Sequence, residues 1–325
     1  MSRRDRTGGT GNRQRADRTD AAGAAGAAGA ADWPPVTAVH RLPFRAPFDW
    51  PRTLGFLAVR CIPGVETVVG DSYVRTVRWV VDGADRHGRL RVSSRPGCSA
   101  LQVELTPTLY GATQPILNHL RAVFDLDLDM SQPLAVLPAD TPMHGPMRIV
   151  GSFDGFELAL RAIIGQQISV KAARTVIGRI VERLGAVLGE EPVSSGAGRV
   201  FPSPAALAQL DETAIAAFGT SLRRAQTIRL LATAMASGEI VLMPGVAPEP
   251  MIDRLCALPG IGDWTAQYIA LRALCWRDAF PAGDLAVLRA LDVRTPAAAR
   301  TIARAWRPWR AYAVMNLWGR LSAGR

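Results

Sequence analysis

The spacing of apolar positions changes character along the chain. From about residue 38 to 128 they fall in short β-branched or alternating runs, Val65 to Val69, Val74 to Val80, Leu90 to Val92 and Leu101 to Leu105, separated by Gly- and Pro-bearing turns. That is the pattern of strands. Helix-spaced stretches interrupt them at Thr53 to Cys61 and Gln114 to Phe124. Runs of strands with segregated helices predict an α+β domain on an antiparallel sheet. After a Pro-rich linker around Gln132 to Pro146 the spacing becomes helical, so a mainly α domain is expected over 129–325. Residues 1–37 carry few apolar groups larger than alanine and are expected to form a disordered basic, Ala/Gly-rich arm.

Within the helical part, Met251 to Ala257 and Trp264 to Leu274 are separated by Leu258-Pro259-Gly260-Ile261-Gly262. The pattern predicts a helix, a tight hairpin and a second helix. Two glycines permit a turn with positive φ and clear side chains from a place of close backbone approach. The second helix then starts with bare N–H groups, the natural seat of a phosphate. Downstream, Asp284 precedes Leu285-Ala286-Val287-Leu288 and is placed as the N-cap of a further helix. Asp154 and Glu157 form a capping-box pattern before a helix through Ile164, and Gly165-Gln166-Gln167-Ile168-Ser169 breaks the pattern before a helix from Val170. Ser203-Pro204, Asp211, Ser221 and Thr295-Pro296 open further helices, the third of them carrying Arg223 and Arg224. The last helix spans Trp309 to Leu321.

Taken singly, these are ordinary features of an all-α domain. Together, L-P-G-I-G-x-W-T-A followed by F-P-x-x-D (Leu258 to Asp284) resembles the signature of the helix-hairpin-helix base-excision DNA glycosylases, most similar in the branch of 3-methyladenine DNA glycosylase II. The resemblance extends to Asp49-Trp50, to Phe153 through Ser169 and to Trp306 through Trp318, and covers nearly the whole chain after residue 38. It implies a TATA-binding-protein-like N-terminal domain without a catalytic role, followed by the helix-hairpin-helix domain.

Composition agrees with a polyanionic partner, since the net charge is +10 and the pI is near 10.5. Almost all basic residues are arginine, and Lys171 is the only lysine. Cys61, Cys98, Cys256 and Cys275 are scattered without C-x-x-C spacing, which supports neither a zinc site nor an iron–sulfur cluster. His40, His87, His119 and His144 are equally dispersed and are read as structural or surface residues. No apolar run approaches the length of a membrane span, and no apolar segment of signal-peptide type follows the charged start. A cytoplasmic, DNA-associated monomer is expected.

The chemistry comes from the resemblance. A base inside a duplex must be flipped out before an enzyme can act on it. Trp264, Tyr268 and Trp318 match the family's base pocket, where π faces attract a cationic alkylated purine. Asp284 matches the catalytic carboxylate that stabilises charge developing on the deoxyribose and positions or deprotonates water. Leu258, Gly260, Ile261 and Gly262 match the hairpin that meets the DNA backbone, with Arg223 and Arg224 as further phosphate contacts. Gln167 matches the wedge that fills the emptied stack. The carbonyls of Cys256, Leu258 and Ile261 match positions that can hold a structural Na+ or K+; no other cofactor is expected. Trp264 stands where bifunctional relatives carry their lysine, so the expected activity is monofunctional release of 3-methyladenine, 7-methylguanine and similar purines from double-stranded DNA. A bifunctional glycosylase/lyase and a non-catalytic DNA-binding module are the alternatives, separable by base release with or without strand cleavage.

Overall fold

The computed structural model describes residues 33, 38–137, 147–189 and 196–323. The expected arm therefore lies outside the described residues, apart from Trp33. This side chain is buried with Val74 and Ala197, and the Arg91 guanidinium lies 4.4 Å from its ring centroid. Most of the expected linker is outside them as well. Its beginning is not linker: Ser131–Val136 is a short helix, started by Asp129, whose carboxylate accepts from the Ser131 N–H at 3.0 Å and hydroxyl at 2.7 Å.

Five strands, β1 (Val39–Pro43), β2 (Glu66–Val69), β3 (Ser72–Val81), β4 (Ala84–Ser94) and β5 (Ala100–Leu105), form an antiparallel sheet in the order β1-β5-β4-β3-β2. The edge strand β1 was not expected, because Leu42 is the one residue of Val39–Pro43 that is buried. β3 and β4 continue to Val81 and Ala84 because Asp82 and Gly83 both take positive φ, the geometry of a two-residue hairpin turn. Helices α1 (Trp50–Ala58) and α2 (Thr113–Val123) follow the predicted stretches. Asp49 caps α1 by accepting from the Arg52 N–H at 2.9 Å.

After α3 (Ser131–Val136) the chain is helical: α4 (Gly155–Ile164), α5 (Val170–Leu184), α6 (Pro204–Ala208), α7 (Glu212–Ala216), α8 (Leu222–Ala236), α9 (Pro248–Ala257), α10 (Asp263–Arg272), α11 (Leu285–Ala290), α12 (Pro296–Ile302) and α13 (Arg310–Ala323). Ser169, Ser203, Asp211, Ser221 and Thr295 each accept a backbone N–H at the start of a helix, which is why the polar punctuation of the sequence marks these boundaries well. One hydrophobic core runs without a break from the sheet into the helices.

A desolvated ion cluster joins the two parts. Arg75 of β3 donates to Glu157 of α4 at 2.8 Å, while Arg161, one turn further along α4, donates to Glu157 at 2.6 Å and also to Glu66 of β2. Tyr73 donates to Glu66. Glu66, Arg75 and Glu157 are all at least 94% buried. Burial alone pushes Glu66 toward the neutral form, but Arg161 and Arg75 outweigh it and hold the carboxyl below its ordinary value. The capping box is thus only half formed. Asp154 accepts from the Phe156 and Glu157 N–H groups at 2.8 and 3.0 Å, whereas the Glu157 side chain turns away into the cluster.

A second buried acid ties the C-terminal helix to the end of α2. Asp125, at φ +51, accepts from the Tyr312 hydroxyl at 2.8 Å and pairs with Arg277 at 3.5 Å. Burial pushes its carboxyl up to about 6, against the opposing pull of these partners. Among the described residues no helix is long and apolar enough to cross a membrane.

Two stability predictions follow from this charge inventory. Glu157→Gln leaves Arg75 and Arg161 short of a buried counter-charge and is expected to cost roughly 3–5 kcal/mol in urea unfolding; a cost under about 1 kcal/mol would show that the cluster is solvated. For Asp125, the folded carboxyl binds its proton more tightly than the ordinary value near 3.9, so its contribution to stability falls as pH rises from about 4 through about 6. Asp125→Asn, which tolerates positive φ, should therefore gain roughly 2 kcal/mol relative to wild type between pH 4 and 7, read as a slope so that any constant offset cancels.

Candidate active site

The hairpin forms where the sequence places it, between α9 and α10. Gly260 has φ +91, and a Cβ there would stand 2.1 Å from Thr227 Oγ1. Thr227 of α8 reaches the turn, its hydroxyl lying 2.8 Å from the Pro259 carbonyl as donor. Gly262 differs from expectation: its φ is −94 and a Cβ there would meet open space. Only Gly260 is demanded by the turn itself. Gly262 is exposed and begins α10 with no side-chain cap, so the first N–H groups of α10 remain available.

The Gly-Gln-Gln segment between α4 and α5 is fastened to this hairpin. Gln166 Nε2 donates to the Gly260 carbonyl at 3.0 Å and to Thr265 Oγ1 at 3.1 Å. Arg224 donates to the Gln166 carbonyl, so one of the two arginines expected on phosphate clamps the loop; Arg223 is exposed. Gln167, the expected wedge, is exposed at φ +60 on the same loop. Nearby in the chain, Ile168 and Val170 are 37% and 51% exposed, and with Leu285 and Val59, 68% and 54% exposed, they line a cavity that does not include Gln167. Of the three hairpin carbonyls expected to hold a cation, that of Leu258 accepts the Ile261 N–H at 3.1 Å. The turn bonds among the described residues leave those of Cys256 and Ile261 unused.

Asp284 caps α11 as predicted, with Oδ1 accepting from the Ala286 and Val287 N–H groups at 2.9 and 3.1 Å. It does more than cap. Trp318 Nε1 donates to Oδ1 and Trp264 Nε1 to Oδ2, each at 3.1 Å, so four donors from three helices fix the carboxylate. Trp264 and Tyr268 stack with centroids 5.8 Å apart, and Tyr268 lies 5.7 Å from Trp318. The three aromatics expected to form a base pocket therefore adjoin one another and Asp284, and all four line a cavity of about 650 Å³.

Residues that the sequence did not single out complete this cavity. The N-terminal domain, expected to have no catalytic role, supplies Arg60, Glu66, Tyr73 and Arg75 to its lining. Arg272 of α10 donates to Tyr268 Oη at 3.4 Å and to the Gly151 carbonyl at 3.1 Å. The i, i+4 spacing of Phe56 and Arg60 in the apolar-periodic stretch Thr53 to Cys61 was the one available signal, and it reads as packing; in the structure α1 ends at Ala58 and Arg60 lies in the turn that follows.

Comparison with known proteins places this geometry. The model of the AlkA N-terminal domain matches residues 39–152, and the HhH-GPD superfamily base excision DNA repair protein model matches residues 160–303. The chain belongs to the helix-hairpin-helix DNA glycosylases of base excision repair. More particularly, it is 33% identical over 286 residues to DNA-3-methyladenine glycosylase 2 of Escherichia coli, covering 86% of this chain and 96% of that one. It is 35% identical over 293 residues to the probable bifunctional transcriptional activator/DNA repair enzyme AlkA of Mycobacterium tuberculosis, covering 86% of this chain and 56% of the relative. The solved 3-methyladenine DNA-glycosylase from Archaeoglobus fulgidus shares the fold with a TM-score of 0.67 at 22% identity, over 89% of this chain and 99% of the other.

The contrast between the two hairpin glycines is testable. Gly260→Ala forces a Cβ onto Thr227 at positive φ and should destabilise the protein by roughly 1–3 kcal/mol. Gly262→Ala should change stability by no more than about 0.5 kcal/mol, so any loss of affinity it causes, equal across unrelated duplex sequences, reports the hairpin's approach to phosphate. Chemical denaturation with binding isotherms on several duplexes checks both; affinity loss confined to one sequence would contradict backbone recognition.

Proposed function

We propose that this glycosylase releases alkylated purines, 3-methyladenine and 7-methylguanine among them, from duplex DNA by hydrolysis, acting as a monomer. The observation that carries this reading is the Asp284 carboxylate held by two indole and two backbone N–H groups on the wall of an aromatic cavity. The extruded base enters among Trp264, Tyr268 and Trp318, where stacking and cation–π attraction favour an alkylated purine. The bond from C1′ to the base nitrogen breaks, its electron pair leaving with the base. Asp284 faces the positive charge that develops on the deoxyribose and accepts a proton from the water that attacks C1′. The products are a free base and an abasic site. A cationic base needs little help to leave, so one carboxylate suffices.

Monofunctional action is supported by the lysine inventory. The only lysine, Lys171, is exposed on α5, and Trp264 occupies the position at which a lyase would present its amine. The hairpin and the bare start of α10 would seat the DNA backbone. A Na+ or K+ would be held by the Cys256, Leu258 and Ile261 carbonyls; it would add positive charge at the hairpin, and its part would be structural.

Asp284→Asn tests the central role. Removing the charge should lower single-turnover release of 3-methyladenine by about two orders of magnitude or more, while binding to lesion-bearing duplex persists. The amide nitrogen would also face an indole donor, so a stability loss of about 1 kcal/mol is expected alongside and is measured separately by thermal melting. An Asn variant that folds and releases 3-methyladenine at near the parent rate would refute the assignment.

A further inference from the structure

Six arginines line the cavity: Arg60, Arg75, Arg161, Arg174, Arg272 and Arg289. Five of them are occupied by the protein itself. Arg75 and Arg161 are held in the buried ion cluster, and Arg174 donates to the Cys61 carbonyl at 2.6 Å. Arg272 donates to the carbonyls of Val150 and, at 3.1 Å, Gly151, while Arg60 donates to that of Phe56 at 3.0 Å. Arg289 is different. Its side chain is exposed and has no hydrogen bond, ion pair or ring contact among the described residues.

Its place is set by α11. Leu285, Ala286 and Arg289 are the residues of this helix that line the cavity, and Arg289 follows the other two by four and three positions. The three therefore share one helix face, whereas Val287 is buried in the core. Leu285 and Arg289 are both exposed, so they belong to the rim of the cavity and not to its depth. The N-cap of the same helix is Asp284. Five residues of α-helix rise by about 7.5 Å, so the Arg289 backbone stands roughly that far along the axis from the carboxylate. A cation in the last turn also suits the helix dipole, but that task could be met from any face of the helix.

A nucleotide turned out of a duplex stays bonded to the phosphates on either side of it. With its base in the cavity and its C1′ facing Asp284, those phosphates are drawn to the rim, beside a fixed negative charge. Carboxylate and phosphate repel one another, and a cation at the rim with no partner of its own offsets that repulsion. A guanidinium grips a phosphate through two parallel N–H donors. We infer that Arg289 is a positioning residue that grips a phosphate flanking the extruded nucleotide, and that the contact forms only after extrusion. The inference rests on the proposed release of bases from this same cavity. The hairpin would meet the backbone of any duplex; Arg289 answers to the one nucleotide that has left the stack.

Arg289→Gln in the full chain keeps a helix-forming stem and removes the charge. Salt dependence counts phosphate contacts, since each adds close to one to the slope of log affinity against log salt concentration. Two duplexes of one sequence serve as probes, one undamaged and one carrying a single reduced abasic site, which swings out readily. In Arg289→Gln the slope should fall by about one on the abasic duplex and stay at the wild-type value on the undamaged one. Single-turnover release of 3-methyladenine from methylated duplex should fall about tenfold. Arg289→Lys should restore the slope and part of the rate, because it returns the charge without the fork. Inhibition by free 3-methyladenine, which carries no phosphate, should not change. An unchanged slope on the abasic duplex overturns the inference, and so does an equal fall on both duplexes, which is what a solvated surface cation gives. Weaker inhibition by the free base would overturn it too, because the substitution would then be acting on the pocket. If Arg289→Gln fails to fold, Arg289→Ala takes its place in the same measurements. Failure of the functional reading looks different: wild-type protein would release no base from methylated duplex, whatever the slopes.

Discussion

Everything at the site depends on burying charge in pairs. Glu66, Arg75, Glu157 and Arg161 lie at the junction of sheet and helices, where a single uncompensated ion would cost several kcal/mol. Such a cluster is weak evidence for stability, because an apolar replacement of the same volume can do as well. What it supplies is register. The carboxylates and guanidiniums match only when β2, β3 and α4 sit in one relative position, and that position leaves a cavity between the domains. The N-terminal domain is then a wall of the cavity, and the turn after its α1 adds Arg60 to the lining.

At the near end, the same principle takes a different form. Asp284 is half-buried beside aromatic rings, and its charge is met by hydrogen-bond donors rather than by a cation. On the proposed mechanism, an arginine in that place would compete with the positive charge that forms during bond cleavage. Four oriented N–H dipoles fix the carboxylate without pairing it with a cation, as a preorganised site requires. Trp264 and Trp318 would then have two functions. Their side chains line the cavity while their nitrogens hold the acid, which would tie base recognition to the geometry of the reacting group.

Much of this was legible in the sequence, for identifiable reasons. Helix boundaries are set by local polar residues, so Ser169, Ser203, Asp211, Ser221, Asp284 and Thr295 announced them correctly. The hairpin was legible because Gly260 performs a task only glycine performs there, and the resemblance named the pocket aromatics that the structure brings together. What the sequence concealed is non-local. Glu157 fits a capping box locally, yet its fate is decided by Arg75, far earlier in the chain. Arg60 looks like the polar end of an amphipathic helix until α10 is placed against it. The edge strand β1 pairs only because β5 offers it an edge, and its own apolar content gives no signal.

The Gln166 side chain has a consequence for how the molecule handles DNA. Its amide bonds to Gly260 and Thr265, and its carbonyl receives Arg224, while Thr227 closes on Pro259 from the same helix as Arg224. The loop that carries Gln167 and the turn that carries Gly260 are therefore fastened into one jaw. The span between them is a fixed length, like the setting of a caliper. On the proposed function, with the loop at the vacated stack and the turn at the backbone, such an instrument would gauge the spacing of the DNA strand itself.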